Sequence, residues 1–567
     1  MVVLGITPAR AHDPAAALIV DGEVVAAAEE ERFNRIKHSA GHNPVNAVAY
    51  CLETAGLKIS DVDVVALSRS FAIARKLSWR FAWRMKRYPG YALTAVKRVK
   101  RINRAYKKDA EALVKEFGCR LGNMDFQQVE HHLSHLSSSY HLSGFENAAV
   151  MSFDGYGEFT SILLGEGRGG EIIKIKEWII PDSLGFFYSL VTRHLGFRPN
   201  NGEFKVMGMS PYGDPSKVDL SDLIETGGGD FRLNEDYFWP MVSLRRHERY
   251  SKSKDLTDIF GPRRSGDGLA EPYINIAAAA QKILEDTVID IVRTHLSDVL
   301  KKHGGKLCFA GGTALNVRLN RKLLDMPEVE ALFVQPAAHD AGTSIGAAAY
   351  AAVKRGEKVA PLKHAYLGPE FTDDEIKATL EKFRLPYERH ENIEEATAKI
   401  LADGKIVAWL QGRMEYGPRA LGNRSILANP ATPGIADEVN GRIKFREKWR
   451  PFCPSILAER APEIIGTEHN SDYMTFSFIV EKEWAEKVPE IVHVDGSARP
   501  QTVRKDTNPR FHKLISEFDK LTGLPIVLNT SLNRRGEPMV CSPEEAVAMF
   551  YQCGLEYLVM GSYLVKK

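Results

Sequence analysis

A pattern that occurs twice limits the folds open to this chain. Near the start, Val2 to Ile6, Ala15 to Val20 and Glu23 to Ala28 are three short apolar runs, with a hairpin-forming Asp21-Gly22 between the last two. A second set begins at Ala148 to Phe153, passes Asp154-Gly155, and continues through Ser161 to Leu164 and Ile172 to Ile180. The first set leads into a helical pattern, Val45 to Ala55, closed near Gly56, and a buried strand from Val62 to Leu67. The second leads to a long helix, Ile274 to Lys302, closed by Gly304-Gly305, and the strand Lys306 to Ala310. Two β-rich starts of one kind predict a duplicated α/β core rather than a repeat array.

A chain of 567 residues exceeds what one core can hold, so more than one domain is expected. The break falls in the polar, proline-containing stretch Gly356 to Leu362, giving domains 1–358 and 359–567. Beyond it, helices over Thr372 to Phe383 and Ile393 to Asp403 and a strand over Ile406 to Leu410 predict a second α/β domain. A net charge of +2 argues neither for a nucleic-acid protein nor for an acidic one. The six cysteines are scattered without a C-x-x-C pair, which suits reduced thiols. The first residues lack the basic and long apolar regions of a signal peptide, and no stretch approaches the roughly 20 apolar residues of a membrane helix. A cytoplasmic location is therefore expected.

In Glu130-His131-His132-Leu133-Ser134-His135, His131 and His135 stand one helical turn apart and could share a metal ion. The zinc-protease pattern would need Glu where His132 stands, and simple packing of a His-rich turn is the competing explanation. Asp154 and Asp340, each following a strand, could complete a His and carboxylate set. Such a set suits iron(II) or a similar divalent ion able to grip phosphate oxygens. Gly311-Gly312-Thr313 and the stretch Asp340 to Gly346 are glycine-rich turns at strand ends, as a nucleotide cleft needs. Gly165 to Gly170 matches G-x-G-x-x-G but lies between two strands, so it reads as a hairpin loop. No Walker-type phosphate loop occurs.

The second domain carries Gly417-Pro418-Arg419-Ala420-Leu421-Gly422-Asn423-Arg424-Ser425, then Lys444, Arg446, Lys448, Trp449, Arg450 and Pro451, then Arg499, and finally Asn529-Thr530-Ser531-Leu532-Asn533. These cations sit among glycine, proline and aromatic residues, the setting of fixed loops. Guanidinium forks and a lysine converging on one place suit a phosphate, and the asparagine and serine would bond a carbonyl or amide.

These motifs, in this order, resemble the O-carbamoyltransferase family of the NodU/CmcH type, which carbamoylates nodulation factors, cephamycins and aminoglycosides. The resemblance extends over the whole chain. It rests on Ala28 to Phe33 with Lys37-His38, His131 to His135, Ser152 to Gly155, Glu203 to Gly208, Gly311 to Asn316, Gly417 to Ser425, Trp449 to Phe452, and Asn529 to Asn533. It implies an N-terminal domain of the actin-like ATPase fold and a C-terminal YrdC-like domain. It also implies that carbamoyl phosphate and ATP, with Mg2+, form carbamoyl-adenylate at Arg419, Lys444, Arg450, Arg499, Asn529 and Ser531. The adenylate would then be held by Gly311, Gly312, Asn316 and Ser344 beside a metal on His131, His135, Asp154 and Asp340. His12, Glu29 and Lys37, with Asp154, would serve transfer to an acceptor hydroxyl on a sugar, antibiotic or other small molecule. For Glu29 to Arg32, a charged strand end is the plain alternative.

Arg75 to Lys108 contains thirteen basic residues and no acidic one, interleaved with Trp79, Phe81, Trp83, Tyr88, Tyr91 and Tyr106. A solvated helical insertion is the plainest explanation; a nucleic-acid surface, a membrane-interface helix or a cap for an anionic acceptor are the others. Three further functions compete with O-carbamoyl transfer to a small molecule, the first of them carbamoylation of a hydroxymethylated base in DNA. A tRNA-modifying threonylcarbamoyl transferase would require threonine and bicarbonate, and an actin-like nucleotide-binding regulator would release no pyrophosphate.

Overall fold

The computed structural model describes residues 1–86, 89–242 and 254–567. The chain forms two compact units. The first comprises Met1–Glu30 and Ala40–Leu362; the second comprises Glu31–Ser39 and Lys363–Lys567. A contiguous division near residue 359 leaves out the short excursion Glu31–Ser39. That excursion is tied into the second unit by Arg32 Nη2 donating to Gly417 O at 2.8 Å and Arg35 Nη1 donating to Met539 O at 2.6 Å.

In the first unit β1 (Val2–Thr7), β2 (Ala15–Val20), β3 (Glu23–Glu29), β4 (Val64–Leu67) and β5 (Asp125–Gln128) form a sheet in the order β3-β2-β1-β4-β5. The first three are an antiparallel meander and the last two run parallel to β1. Asp21 and Gly22, with φ of 49° and 82°, make the tight turn between β2 and β3. The second sheet uses β6 (Asn147–Gly157), β7 (Thr160–Arg168), β8 (Glu171–Ile179), β11 (Lys306–Ala310) and β12 (Ala331–Val334), in the order β12-β11-β6-β7-β8. Here too the first three strands are an antiparallel meander and the others run parallel to the first. A separate hairpin, β9 (Ile224–Gly227) with β10 (Asp230–Leu233), lies between them in sequence. The two sheets repeat one topology, so the first unit has a duplicated core.

Two helices fill the space between these sheets. Thr343–Val353 packs on β1, β2 and β4, His131–Tyr140 packs on β6, β7 and β11, and the two pack on each other. All ten side chains of His131–Tyr140 are buried, including three histidines and four serines. A helix so enclosed must satisfy its polar groups internally, and Ser134, Ser138 and Ser139 do so by donating to backbone carbonyls within the helix and just before it. The alanine-rich sequence of Thr343–Val353 keeps its surface thin enough for this close packing.

The second unit is built on a mixed eight-stranded sheet. Its strands are β13 (Glu388–Arg389), β14 (Val407–Leu410), β15 (Arg424–Ala428), β16 (Cys453–Leu457), β19 (Gln501–Val503), β20 (Ile526–Ser531), β21 (Tyr557–Met560) and β22 (Tyr563–Lys566), with β17 (Phe478–Ile479) and β18 (Ser497–Ala498) as a separate pair. The order is β13-β22-β21-β14-β15-β20-β16-β19. Helices Pro509–Thr522, Ile393–Ala402 and Pro543–Gln552 cover the sheet. The six cysteines are free thiols. Among the described residues no helix is long and apolar enough to cross a membrane.

Candidate active site: a histidine–carboxylate cluster and a cationic pocket

In the first unit, His131 and His135 stand one turn apart at the start of their helix, with their Nε2 atoms 3.1 Å apart. Asp154 Oδ2 lies 3.4 Å from His131 Nε2. Asp340 Oδ1 lies 3.6 Å from His131 Nε2 and 4.0 Å from His135 Nε2. All four ligating atoms fall within 4.8 Å of one another. Each carboxylate uses its other oxygen to fix its orientation: Asp154 Oδ1 accepts from Gly312 N–H at 3.0 Å, and Asp340 Oδ2 accepts from His12 N–H at 3.0 Å. Such outer contacts aim a ligand set before any ion arrives.

The backbone explains how Asp154 reaches the cluster. Phe153 pairs with Ile162, but the next paired residue is Gly157, opposite Thr160. Asp154 therefore lies in a bulge, and the chain reverses later, at Glu158 and Phe159, with φ of 49° and 90°. Gly157 is required because a Cβ there would sit 2.2 Å from His131 Cδ2. Gly311, with φ of +92°, leaves room for the carbonyl of Phe153, which a Cβ would approach to 2.3 Å.

Burial and charge compete across the cluster. Burial disfavours a charged His131, yet Asp340 and Asp154 outweigh it and push the imidazole up to about 9. Burial, with His131 beside it, holds His135 well below the ordinary imidazole value. Burial likewise raises the Asp340 carboxyl. For Asp154, burial opposes ionisation but the histidines prevail and hold it well below the usual carboxylate range. Two imidazoles and two oriented carboxylates fit a divalent ion, whose charge would balance theirs. His132 is different: Ser152 Oγ at 2.8 Å and Thr160 O at 2.9 Å engage both its nitrogens, so it is part of the core.

His12 joins this site through its backbone, while its ring Nδ1 lies 2.8 Å from Asp13 Oδ2. Burial works against its protonation, but Asp13 and the cluster carboxylates raise it to about 9. Glu29 is buried at the end of β3, opposite Ala15. Lys37 belongs to the second unit, where its Nζ donates to Glu31 Oε1 at 2.9 Å. Asn316 exchanges amide hydrogen bonds with Gln281 at 2.9 and 3.0 Å and caps the helix Val317–Leu324. Ser344 is buried and donates to Ala341 O at 2.8 Å. Sequence reasoning missed Asp13 and Glu158; Glu158 accepts from His131 N–H at 3.0 Å and anchors the helix start. A signal for Asp13 existed, since His-Asp occurs at His12-Asp13 and again at His339-Asp340.

In the second unit, strand register gathers the expected residues. Cys453 pairs with Asn529, Ser425 with Ser531, and Ser455 with Gln501. Arg499, just before β19, donates from Nη2 and Nε to Cys453 Sγ at 2.8 and 3.1 Å. The loop carrying Arg419 is fixed by buried Glu415, whose Oε1 accepts from Leu421, Asn423 and Arg424 N–H at 2.7, 2.8 and 3.1 Å. Lys444 Nζ donates to Ser531 O at 2.6 Å and Asn533 O at 2.7 Å, neutral partners only. Arg446 covers the Phe452 ring at 4.4 Å and keeps one buried nitrogen, Nη2, without a partner. Arg419 has no hydrogen-bond or ion-pair partner among the described residues. Buried Asn529 donates to Ser455 Oγ at 2.9 Å while its Oδ1 is unpartnered.

These cations repel one another. Burial first, and then neighbouring guanidiniums, lower Arg419 to about 9 and Arg450 to about 10, and push Arg446 and Lys444 well below their ordinary values. The nearest acid is Glu447, whose Oε2 is 3.6 Å from Arg450. One carboxylate cannot balance such a group, so the cluster could receive an anion.

Residues 2–349 match the family described as Carbamoyltransferase N-terminus, and residues 398–567 match Carbamoyltransferase C-terminus. The chain is 36% identical to nodulation protein NolNO of Sinorhizobium fredii, over 98% of this chain and 79% of that one. It is 28% identical to nodulation protein U of the same species, over 93% and 92%. It is also 35% identical to an uncharacterised protein of Synechocystis, over 100% and 96%.

Proposed function

This chain belongs to the carbamoyltransferase family, and on that premise we propose that it activates a carbamoyl group with ATP and transfers it to an acceptor hydroxyl. The observation that carries the activation step is the buried cationic pocket of the second unit, taken here as the YrdC-like part of the chain. Arg419, Arg450 and Arg499 bind the phosphates of carbamoyl phosphate and ATP, the latter as its Mg2+ complex, and relieve their own repulsion by doing so. Asn529 Oδ1 accepts from the carbamoyl NH2, and Lys444, positioned by Ser531, lies beside the same strand end.

For phosphate and pyrophosphate both to leave, water must first release carbamate from carbamoyl phosphate. A carbamate oxygen then bonds the α-phosphorus of ATP, the bond to the β-phosphate oxygen breaks, and carbamoyl-adenylate and pyrophosphate result. At the first unit, the acceptor hydroxyl oxygen bonds the carbamoyl carbon, the bond to the AMP phosphate oxygen breaks, and the hydroxyl proton leaves with the AMP phosphate. Asp13 holds His12 Nδ1 and favours the protonated ring, which donates from Nε2 to the carbamoyl oxygen. Glu29, buried in the same unit, assists it. His131, His135, Asp154 and Asp340 would hold a divalent ion such as iron(II), which supplies positive charge for the adenylate phosphate. Gly312 N–H keeps Asp154 aimed beside the place where the adenylate would lie.

The test is pyrophosphate release from ATP with carbamoyl phosphate, with threonine plus bicarbonate, and with neither, in wild type and Arg450→Ala. Release that requires carbamoyl phosphate and is lost in Arg450→Ala supports the mechanism. Release with threonine and bicarbonate instead would assign the threonylcarbamoyl reaction, and no release at all would remove adenylation.

A further inference from the structure

The carbamoyl chemistry leaves the basic stretch Arg75 to Lys108 unused. Its described part is two helices that pack together, Phe71–Arg84 and Pro89–Glu116; Arg87 and Tyr88 lie outside the described residues. Phe71–Arg84 is two-faced. Ala74, Leu77, Ser78 and Phe81 are buried, and Phe81 lies 5.1 Å from the ring of Phe159. Arg80 pairs with Glu177, and Arg84 pairs with Asp182 and Glu235, so the inner side is pinned to the body of the unit.

The outer stripe is Ala72, Lys76, Trp79 and Trp83, with Lys86 just past the helix end, all exposed. Trp79 is 65% and Trp83 74% exposed, and Lys86 Nζ stands 5.3 Å over the Trp83 ring. The following helix adds Leu93, 53% exposed, and the exposed cations Lys97, Lys100, Arg101 and Arg104. Indoles held in water, one of them under Lys86, in a segment with thirteen basic residues and no acid, need a partner with both an apolar layer and negative charge.

We propose that this face docks on an anionic lipid bilayer, with Trp79 and Trp83 at the headgroup level and the surrounding Lys and Arg side chains on lipid phosphates. A second copy of the chain fits less well, because a two-fold interface would set this positive face against itself. A nucleic acid would satisfy the cations but would leave the aliphatic Leu93 in water. The docking is interfacial, since neither helix is apolar enough to span a bilayer. It is independent of the reaction assigned above.

The experiment uses the full chain and sedimentation with vesicles of phosphatidylcholine, alone or mixed with phosphatidylglycerol. Binding to the mixed vesicles, weakened by salt and absent with phosphatidylcholine alone, is expected. Trp79→Ser with Trp83→Ser should lower the bound fraction about tenfold, and Lys76→Glu with Lys86→Glu should do likewise. Wild-type tryptophan emission should shift to shorter wavelength on binding, and the double Trp variant, with circular dichroism unchanged, should lose most of that shift. Absence of binding at low salt would overturn the proposal. So would binding that is unchanged in the Trp variant, an emission shift produced by RNA or DNA rather than vesicles, or a solution dimer that the Trp variant dissolves.

Discussion

Arg419 and Arg424 sit on one loop and have opposite environments. Arg424 is wholly buried and donates to the carbonyls of Gln411, Gly412, Asn423, Pro369 and Cys541, holding three segments together without a carboxylate. Removing it strands those carbonyls, so Arg424→Met should cost at least about 3 kcal/mol in urea unfolding. Arg419 contributes repulsion instead. Arg419→Ala should leave unfolding within about 1 kcal/mol of wild type while abolishing carbamoyl-phosphate-dependent pyrophosphate release. The histidines divide in the same way, because His132 is satisfied inside the protein whereas His131 and His135 face two carboxylates. His135→Ala should lose bound divalent metal by elemental analysis. Gly157→Ala, which drives a methyl into the His131 ring, should lower metal content while the fold persists.

The helix that carries these ligands ends at His141, whose Nε2 donates to Gly170 O at 2.9 Å and whose Nδ1 accepts from Ser137 Oγ at 2.7 Å. A helix C-terminus favours a cation, but burial wins and holds this imidazole at about 4. The unfolded chain therefore takes the proton first. Stability present above pH 6.5 is lost as pH falls towards 4, at up to about 1.4 kcal/mol per pH unit. Urea midpoints at pH 7 and pH 5 should differ less in His141→Asn than in wild type; an equal difference would assign the pH dependence elsewhere. Elements of this kind were legible because their periodicity and end signals are local: Asp21-Gly22, Gly304-Gly305 and both helices after residue 370 stand where the sequence puts them. The bulge at Asp154 was not legible, because a bulge is decided by the partner strand's register. Asn316 and Ser344 lie in glycine-rich surroundings that suggest a ligand, yet contacts far away in sequence or within their own turn occupy them. The cationic residues of the second unit were legible as a group, since they sit among glycine, proline and aromatic residues, the setting of fixed loops.

At the scale of the whole molecule, the two kinds of site lie in different units, with cations and neutral amides in one and a histidine–carboxylate cluster in the other. If adenylation belongs to the second unit and transfer to the first, damage to the first should leave adenylation running. Asp340→Asn keeps the size of the side chain but removes the charge that His131 and His12 face. Pyrophosphate release dependent on carbamoyl phosphate should then stay within about twofold of wild type, while carbamoylation of hydroxyl acceptors falls about 100-fold or more. Arg450→Ala should lose both. Labelled carbamoyl phosphate with chitooligosaccharides and aminoglycosides as probe acceptors reads the transfer, and a coupled pyrophosphate assay reads the activation. Loss of both activities in folded Asp340→Asn would mean that the cluster serves the activation step too, and the division of labour between the units would fall.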